Sequence, residues 1–258
     1  MTAVHRVLDP AAGKQVQPGR CALGVMTKAP RAGKVKTRLS PPLTPEEAAA
    51  LNVCFLRDTS AAIAVASREG IAQGVGVYTP AGMEYAWADI LPSDFFLVLQ
   101  RGDAFGERLT LATEDLLDLG FESACLIDSD SPTVPVQAYA EAARVLAEPG
   151  DRIVFGPSDD GGYYLIGMKQ LHRRLFEDID WSTERVADQT LERAAEAGVE
   201  VHLLPTCFDV DDRATLRRLC EELLGGGAPA DRYLAPETRQ FLDAIIEREG
   251  RERIWPNE

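Results

Sequence analysis

Short apolar runs alternate with amphipathic stretches along this chain of 258 residues. The runs end in loops rich in Gly, Pro, Asp and Ser, which is typical of strands in a sheet that is covered on both faces. The predicted strands are residues 22–26, 74–79, 95–100, 123–127, 152–155, 163–168 and 199–204. The predicted helices are residues 45–68, 105–119, 135–147, 183–197, 213–224 and 236–249. Regular alternation of strands and helices predicts one three-layer α/β domain.

Capping signals mark the starts of several helices. Thr44, Pro45 and Glu47 have the spacing of a capping box with proline in the first turn, so a helix is expected to start at residue 45. Thr183 is the expected cap of the helix over 183–197. In the helix over 105–119, Phe105 is expected to face the core together with the leucines.

The ends of the chain carry weaker signals. Residues 1–20 have little periodicity and are interpreted as a loosely ordered N-terminal extension, so that residues 21–258 form the domain. The last helix presents Phe241, Ile245 and Ile246, which would pack either on the domain or on a second copy, so a homodimer is an open expectation.

Charge and composition exclude some classes of binding partner. The formal net charge is −14, which argues against nucleic acid and anionic membrane as partners. No apolar run approaches the ~20 residues of a membrane span, and the N-terminus has no apolar signal core, so a cytoplasmic protein is expected. The five cysteines are scattered without a CxxC pair, which favours reduced thiols over a disulfide framework or a zinc site.

A basic loop follows the first predicted strand in this acidic chain. It contains five cations shaped by a turn at Gly33, namely Lys28, Arg31, Lys34, Lys36 and Arg38. Crowded like charges repel each other unless an anion or acidic neighbours offset them, and open α/β sheets bind ligands at the carboxyl ends of their strands. We therefore predict a phosphate-binding loop, most simply for a nucleotide. The alternative is a solvated surface loop, and the spacing is neither a P-loop nor a dinucleotide fingerprint.

An acidic loop follows the strand over 123–127. Asp128 and Asp130 flank Ser129, and alternate residues there can aim two carboxylates at one point beyond the sheet. Mg²⁺ takes one or two protein carboxylates and leaves its other positions to phosphate and water. The alternative is that Asp and Ser only hydrogen-bond their own turn.

Two further acidic loops follow later strands. One contains Asp159 and Asp160 followed by Gly161, Gly162 and Tyr163, where paired glycines allow a ligand to approach the backbone. A strand beginning at Tyr163 would explain that tyrosine equally well. The other contains Asp209 and Asp211, which point to the same side of an extended segment. There the alternative is that Asp211 or Asp212 caps the next helix.

In combination these motifs resemble those of the glycosyltransferase type A (GT-A) superfamily, and within it a bacterial family of small glycosyltransferase-like proteins linked to arsenosugar and selenium-related pathways. More distantly they resemble the guanylyltransferases for 2-phospholactate and molybdenum cofactor. The matching segments are residues 28–39, 105–109, 127–132, 156–167, 181–183 and 209–211.

The resemblance implies a Rossmann-like mixed sheet of the nucleotide-diphospho-sugar transferase type. It also implies that Lys28, Lys36 and Arg38 hold nucleotide phosphates and that Asp130 with Asp211 holds Mg²⁺ or Mn²⁺. Asp160 and the glycines after it would face the acceptor. The family usually has Gly where this chain has Asp128, so Asp128 would add a carboxylate to the metal site or alter it.

The lead hypothesis is a metal-dependent transferase with a nucleotide-activated donor and a small-molecule acceptor. It would pass a sugar from a nucleotide sugar, with nucleotidyl transfer to a phosphorylated acceptor as the alternative. In either reaction, positioning and charge neutralisation carry most of the catalysis. Asp160 and Asp159 are the candidate general bases. A nucleotide-binding regulatory protein without turnover is the hypothesis from another class.

Overall fold

The computed structural model describes residues 5–226 and 232–255 of the chain. Its eight strands are β1 (Arg6–Leu8), β2 (Cys21–Lys28), β3 (Ala72–Thr79), β4 (Phe96–Leu99), β5 (Ser123–Ile127), β6 (Arg152–Pro157), β7 (Tyr163–Met168) and β8 (Glu200–Leu203). Its six α-helices are α1 (Pro45–Ala66), α2 (Phe105–Asp118), α3 (Val136–Ala147), α4 (Val186–Glu196), α5 (Arg213–Leu224) and α6 (Pro236–Glu249).

All eight strands form one sheet in the order β1-β4-β3-β2-β5-β7-β6-β8. Every neighbouring pair is parallel except the two that involve β7, which runs antiparallel to β5 and β6. The expected mixed sheet is therefore confirmed. Because only β7 is reversed, the carboxyl ends of β2, β5, β6 and β8 lie at the same edge. The chain moves outward from β2 to β3 and β4 and then returns to place β5 on the other side of β2, which creates a switch point.

Helices cover both faces of the sheet, as the predicted three layers require. On one face, α1 and α3 pack through Leu56, Ile63 and Tyr139 against Leu23 and Val25 of β2. On the other face, α2 and α4 pack against the sheet. Helices α5 and α6 form a further apolar cluster with α1.

The N-terminal segment contributes a strand that the sequence analysis missed. Arg6–Leu8 forms β1, which pairs in parallel with β4 at one end of the sheet, and Leu8 is buried. Three residues are too short to show the alternation that predicts a strand.

Helix starts agree with the capping signals at one helix and differ at another. Thr44 accepts a hydrogen bond from the Glu47 amide, and the Glu47 carboxylate accepts one from the Thr44 amide, so the predicted capping box of α1 is confirmed. The predicted start and cap of α4 were wrong, because the helix begins at Val186 with Arg185 as its cap. The Thr183 hydroxyl instead donates to the Asp180 carbonyl, within the turn that precedes the helix.

Helix α1 corrects the expectation that no apolar segment approaches the length of a membrane span. Residues Pro45–Glu69 are long and apolar enough by length and composition, with a mean hydropathy of 1.3 in the best window. However, 67% of that window is buried inside the protein. Its apolar character follows from its position between the sheet and α6, which makes it a core helix.

A buried aspartate joins α1 to α6. Asp58 of α1 is 1% exposed, and its carboxylate accepts hydrogen bonds from the amides of Glu237 and Thr238 in the first turn of α6. The cap therefore comes from a residue 180 positions earlier than Thr238. On α6 itself, Ile245 is buried, and Ile246 packs against the apolar cluster formed by α1, α5 and α6. This apolar face of α6 therefore contacts the domain.

Candidate functional site

Four loops meet at the edge where the parallel strands end. They follow β2, β5, β6 and β8, and backbone hydrogen bonds join the last three of them directly. The Val210 amide donates to the Asp130 carbonyl at 3.0 Å, and the Asp159 amide donates to the Cys207 carbonyl at 3.0 Å. Because each loop starts at the end of a buried strand, the sheet fixes the relative positions of the basic loop and the three acidic loops.

Lys36 lies at the centre of this arrangement. Its side chain is only 4% exposed, and its ammonium lies 2.9 Å from Asp130 Oδ1 and 2.9 Å from Asp211 Oδ1. It also donates to the Val210 carbonyl at 2.7 Å. Burial alone would lower the pKa of Lys36, but the two carboxylates outweigh it and leave the pKa raised. The buried cation therefore stays charged and joins the basic loop to two acidic loops.

The backbone at Lys36 is in an unusual conformation. Its φ of 49° and ψ of 39° place a non-glycine residue in the left-handed region, which costs free energy and is concentrated at functional sites. The turn just before it, at Gly33, has a φ of 69°. Together these two residues turn the loop so that the Lys36 side chain points inward while Lys34 and Arg38 stay exposed.

The four aspartates predicted to bind metal lie around Lys36. Asp130 and Asp211 contact its ammonium directly, whereas Asp128 and Asp209 lie deeper. Burial, with the Asp130 charge, raises the pKa of Asp128 well above its ordinary value, and its Oδ2 accepts a hydrogen bond from the Ser131 hydroxyl at 2.7 Å. Burial, with the charge of Asp160 close by, raises the pKa of Asp209 to about 6.

Capping separates the roles of two neighbouring aspartates. Asp212 is the N-cap of α5 and accepts a hydrogen bond from the Thr215 amide at 2.9 Å. Asp211 does not cap the helix, and its carboxylate faces Lys36 and Arg38 instead.

The chemistry of Asp130 and Asp211 fits a divalent cation. Their Oδ1 atoms converge on one positive charge, as two carboxylate ligands of Mg²⁺ or Mn²⁺ would. Among residues 5–226 and 232–255, no group of three or more His, Cys, Asp or Glu is arranged to hold a metal ion. The pair therefore fits a metal that takes its remaining ligands from phosphate and water rather than from a complete protein cage.

A cavity of about 290 Å³, which we call the basic cavity, opens above Lys36. Four cations and two carboxylates line it, namely Lys28, Lys34, Lys36, Arg38, Asp130 and Asp211. Of the predicted phosphate ligands, Arg31 is not among the lining residues, and its guanidinium contacts Met83 Sδ at 2.8 Å. The cations at the rim are exposed, so the cavity presents free positive charge to solvent.

Asn52 lines the same cavity and was not identified from the sequence. It projects from α1, is 4% exposed, and its amide forms no hydrogen bond with the described part of the chain. Buried amides are normally paired, because leaving one unpaired costs free energy. An asparagine within an apolar helix gives no periodic signal, so only the cavity identifies it.

A second cavity, of about 380 Å³, adjoins the first and shares Arg38 and Asp211 with it. We call it the aromatic cavity, because Phe105, Tyr163 and Trp181 line it. Phe105 was predicted to be a core residue and that prediction was wrong: it is 47% exposed and meets Trp181 edge to face with ring centroids 4.8 Å apart. Exposure at the mouth of a cavity explains why a helical pattern misassigned it.

The loop between β6 and β7 separates its predicted residues into different roles. Asp160 lines the aromatic cavity, with Oδ1 accepting from the Gly162 amide at 2.8 Å. Asp159 instead forms an ion pair with Arg218 of α5. Gly161 has a φ of 89°, and a Cβ there would lie 2.1 Å from the Glu184 carbonyl oxygen. Gly161 thus permits close backbone packing, while Gly162 and Tyr163 line the cavity.

A smaller apolar cavity of about 190 Å³ adjoins the other two. It shares Phe105 and Tyr163 with the aromatic cavity and Asp130 with the basic cavity. The Tyr163 hydroxyl is buried without a hydrogen-bond partner among the described residues, and burial raises its pKa. The three cavities therefore surround one acidic cluster, with cations on one side and aromatic rings on the other.

This architecture is the fold of the nucleotide-diphospho-sugar transferases. A crystal structure from Desulfovibrio desulfuricans G20, described as a "putative nucleotide-diphospho-sugar transferase", is 29% identical with a TM-score of 0.75 and covers 90% of this chain and 98% of its own. Residues 62–183 match a family described as "Uncharacterized protein conserved in bacteria (DUF2064)". No curated protein matches the chain.

Two other solved structures are more distant in sequence and fold. A cytidylyltransferase from Leptospira borgpetersenii is 8% identical with a TM-score of 0.49, and covers 94% of this chain and 99% of its own. A Pyrobaculum calidifontis mannosyltransferase, solved with GDP-Man and Mn²⁺, is 15% identical with a TM-score of 0.44, and covers 91% of this chain and 77% of its own. The resemblance to arsenosugar-linked proteins and to guanylyltransferases stays a prediction.

Proposed function

We propose that this protein is a transferase that uses a nucleotide-activated donor, with the donor phosphates in the basic cavity and the acceptor in the aromatic cavity. The observation that carries the proposal is the junction of the two cavities at Arg38 and Asp211. A group leaving the donor phosphates there would face the second cavity directly. The 29% identical structure described as a nucleotide-diphospho-sugar transferase supports the same class.

The exposed cations have the chemistry to bind phosphate. Lys28, Lys34 and Arg38 offer free donors, and charge-assisted hydrogen bonds to phosphate are the stronger kind. Lys36 has a different part, because its ammonium is already hydrogen-bonded to protein. We assign it the role of holding Asp130 and Asp211 in place, rather than the phosphate contact that the motif implied.

Asp130 and Asp211 would hold Mg²⁺ or Mn²⁺ together with the donor phosphates. When bound, the metal would neutralise charge that develops on the leaving phosphate. The chain's own residues would do the rest: the exposed cations orient the donor, and the cavity walls limit access of water. The charged junction would favour charge separation in the transition state.

In the lead reaction the donor is a nucleoside diphosphate sugar. The acceptor hydroxyl oxygen forms a bond with the anomeric carbon, and the bond from that carbon to the β-phosphate oxygen breaks. The hydroxyl proton passes to the free oxygen of Asp160, and the nucleoside diphosphate leaves with the bonding electrons. Asp160 lines the aromatic cavity and is the better base of the two candidates, since Asp159 is held by Arg218. Nucleotidyl transfer to a phosphorylated acceptor is the alternative reaction. The cytosolic location expected from the sequence is also part of the proposal.

A thermal-shift screen of nucleoside diphosphates, triphosphates and nucleotide sugars tests the proposal. Ligand at ~100 times its dissociation constant stabilises the folded state by about 2.7 kcal/mol, which gives a shift of several degrees. Lys34→Ala, which removes a cation from the cavity lining, should weaken nucleotide binding about tenfold or more. Arg31→Ala removes the same charge outside the cavity and should change binding little.

The metal is tested in the same assay. Added Mg²⁺ or Mn²⁺ should increase the nucleotide-induced shift of the wild-type protein and of Asp159→Asn, but not of Asp130→Asn. If no nucleotide shifts the melting temperature with or without metal, the basic cavity is not a phosphate site and the proposal fails. If the nucleotide-induced shift is the same with and without metal, and the same in Asp130→Asn, the result would favour a nucleotide-binding regulatory protein without turnover.

A further inference from the structure

The charge of the aromatic cavity differs in sign from that of the basic cavity. Three carboxylates and one guanidinium line it, contributed by Asp160, Glu184, Asp211 and Arg38. The basic cavity has four cations against two carboxylates. The single guanidinium is also shared, since Arg38 Nη1 lies 3.8 Å from Asp211 Oδ2. A second phosphate placed in the aromatic cavity would therefore face excess negative charge, which costs binding free energy.

The aromatic wall points to the shape of the molecule that binds there. Phe105 leaves nearly half of its surface exposed, and Trp181 meets it edge to face at the same cavity. Gly106 allows this contact, because a Cβ at that position would lie 3.1 Å from the indole nitrogen of Trp181. Exposed aromatic faces offer apolar area and stacking geometry to a ring.

The polar groups of the cavity are mostly acceptors. Ionised carboxylates only accept hydrogen bonds, so they pair with hydroxyl donors and not with another anion. The free oxygen of Asp160 and the carboxylate of Glu184 can each accept a hydrogen bond from a hydroxyl group of the ligand.

From these three observations we infer that the acceptor is an uncharged ring compound bearing hydroxyl groups, not a phosphate ester. The inference rests on the proposed transferase function and deepens it. It favours glycosyl transfer to a hydroxyl group over nucleotidyl transfer, because the latter needs a phosphorylated acceptor in this cavity. Ring stacking on Phe105 and Trp181 would place an acceptor hydroxyl towards Asp160 and the junction with the donor.

The test uses the full-length protein with a nucleoside diphosphate bound, and Trp181 as the reporter. Intrinsic fluorescence is titrated with matched pairs, glucose against glucose 6-phosphate and myo-inositol against its monophosphate. Trp181→Phe gives the background from the two other tryptophans. The uncharged member of each pair should bind at least about tenfold more tightly.

A charge-reversal variant sharpens the comparison. Glu184→Lys should tighten binding of the phosphate esters by about tenfold and weaken binding of the neutral compounds, because one acceptor for their hydroxyl groups is lost. Tighter binding of the esters by the wild-type protein would overturn the inference, and so would the failure of every neutral ring compound to change Trp181 fluorescence. Nucleotide binding is measured first by thermal shift: if it is present, these results overturn only the acceptor inference, and if it is absent, the proposed function itself falls.

Discussion

Replacement of Asn52 by leucine should separate the stability of this protein from its ability to bind a nucleotide. Asn52 is 4% exposed, lines the basic cavity, and its amide is unpaired within the described residues. Burying such an amide with partial compensation costs about 0.5–2 kcal/mol. Leucine branches at the same carbon and carries no polar atom, so Asn52→Leu should stabilise the ligand-free protein by a similar amount.

The same change should weaken nucleotide binding. If the amide pairs with the donor, its loss removes a hydrogen bond to a charged group, worth about 1.5–3 kcal/mol. The dissociation constant for the nucleotide should then rise about 10- to 100-fold. The expected increase in melting temperature of the ligand-free protein is about 1–8 °C.

Isothermal titration calorimetry with the best nucleotide and thermal unfolding without it measure the two effects. Thr59→Val is the matched control, since its buried hydroxyl on the same helix also lacks a partner but does not line the cavity. It should stabilise the protein without changing the affinity. Asn52→Ala should lose affinity like the leucine variant. The reasoning is refuted if Asn52→Leu destabilises the ligand-free protein and leaves nucleotide affinity unchanged, because Asn52 would then be a structural residue.

Three further predictions concern the fold around the site. Asp58→Ala should lower the free energy of unfolding by about 1–3 kcal/mol, because two buried amides of α6 lose their acceptor. Asp58→Asn should lower the free energy of unfolding by less. Equal midpoints of urea unfolding for the two variants would contradict this. Burial would raise the pKa of Glu47, but hydrogen bonds from Arg253 and from the capped backbone outweigh it, so its pKa is lowered. The stabilisation by the Glu47 carboxylate is present above its unfolded pKa near 4.3 and is lost as the pH falls below that value. The wild-type protein should therefore lose more stability between about pH 5 and 3 than Glu47→Gln does. Identical losses for the two proteins would contradict this. Gly161→Ala should lower the free energy of unfolding by more than about 1 kcal/mol, and by more than Gly33→Ala does. Both glycines have positive φ, but only at Gly161 would a Cβ meet the backbone of another segment. Urea unfolding of the two variants measures the difference.

The element pattern was readable from the sequence where signals were local. The Thr44 capping box fixed the start of α1, and apolar runs located seven of the strands, because the period and the cap depend only on neighbouring residues. The strand Arg6–Leu8 was missed, since it exists only by pairing with β4. Thr183 failed as a cap because its hydroxyl bonds within the preceding turn.

The sequence indicated many of the residues that belong to the site, but not the role of each one. Five clustered cations indicated a phosphate loop, yet nothing in their spacing shows that Lys36 turns inward while Lys34 stays at the rim. Its direction follows from the left-handed backbone at Lys36 and from acidic loops more than ninety residues away. Likewise, only the folded chain shows that Asp159 is tied to Arg218 and Asp160 is not.

Lys36 also bears on how the protein can be handled. Its ammonium, with the backbone hydrogen bond from Val210 to Asp130, ties the loops of the acidic cluster together. The folded state therefore carries its own counter-charge, unlike small metal-dependent domains that unfold when their ion is removed. Purification in a chelating buffer should leave the chain folded, so that metal can be withdrawn and restored reversibly on one sample. Loss of Lys36 would remove that independence, because the carboxylates would then repel each other across an empty centre.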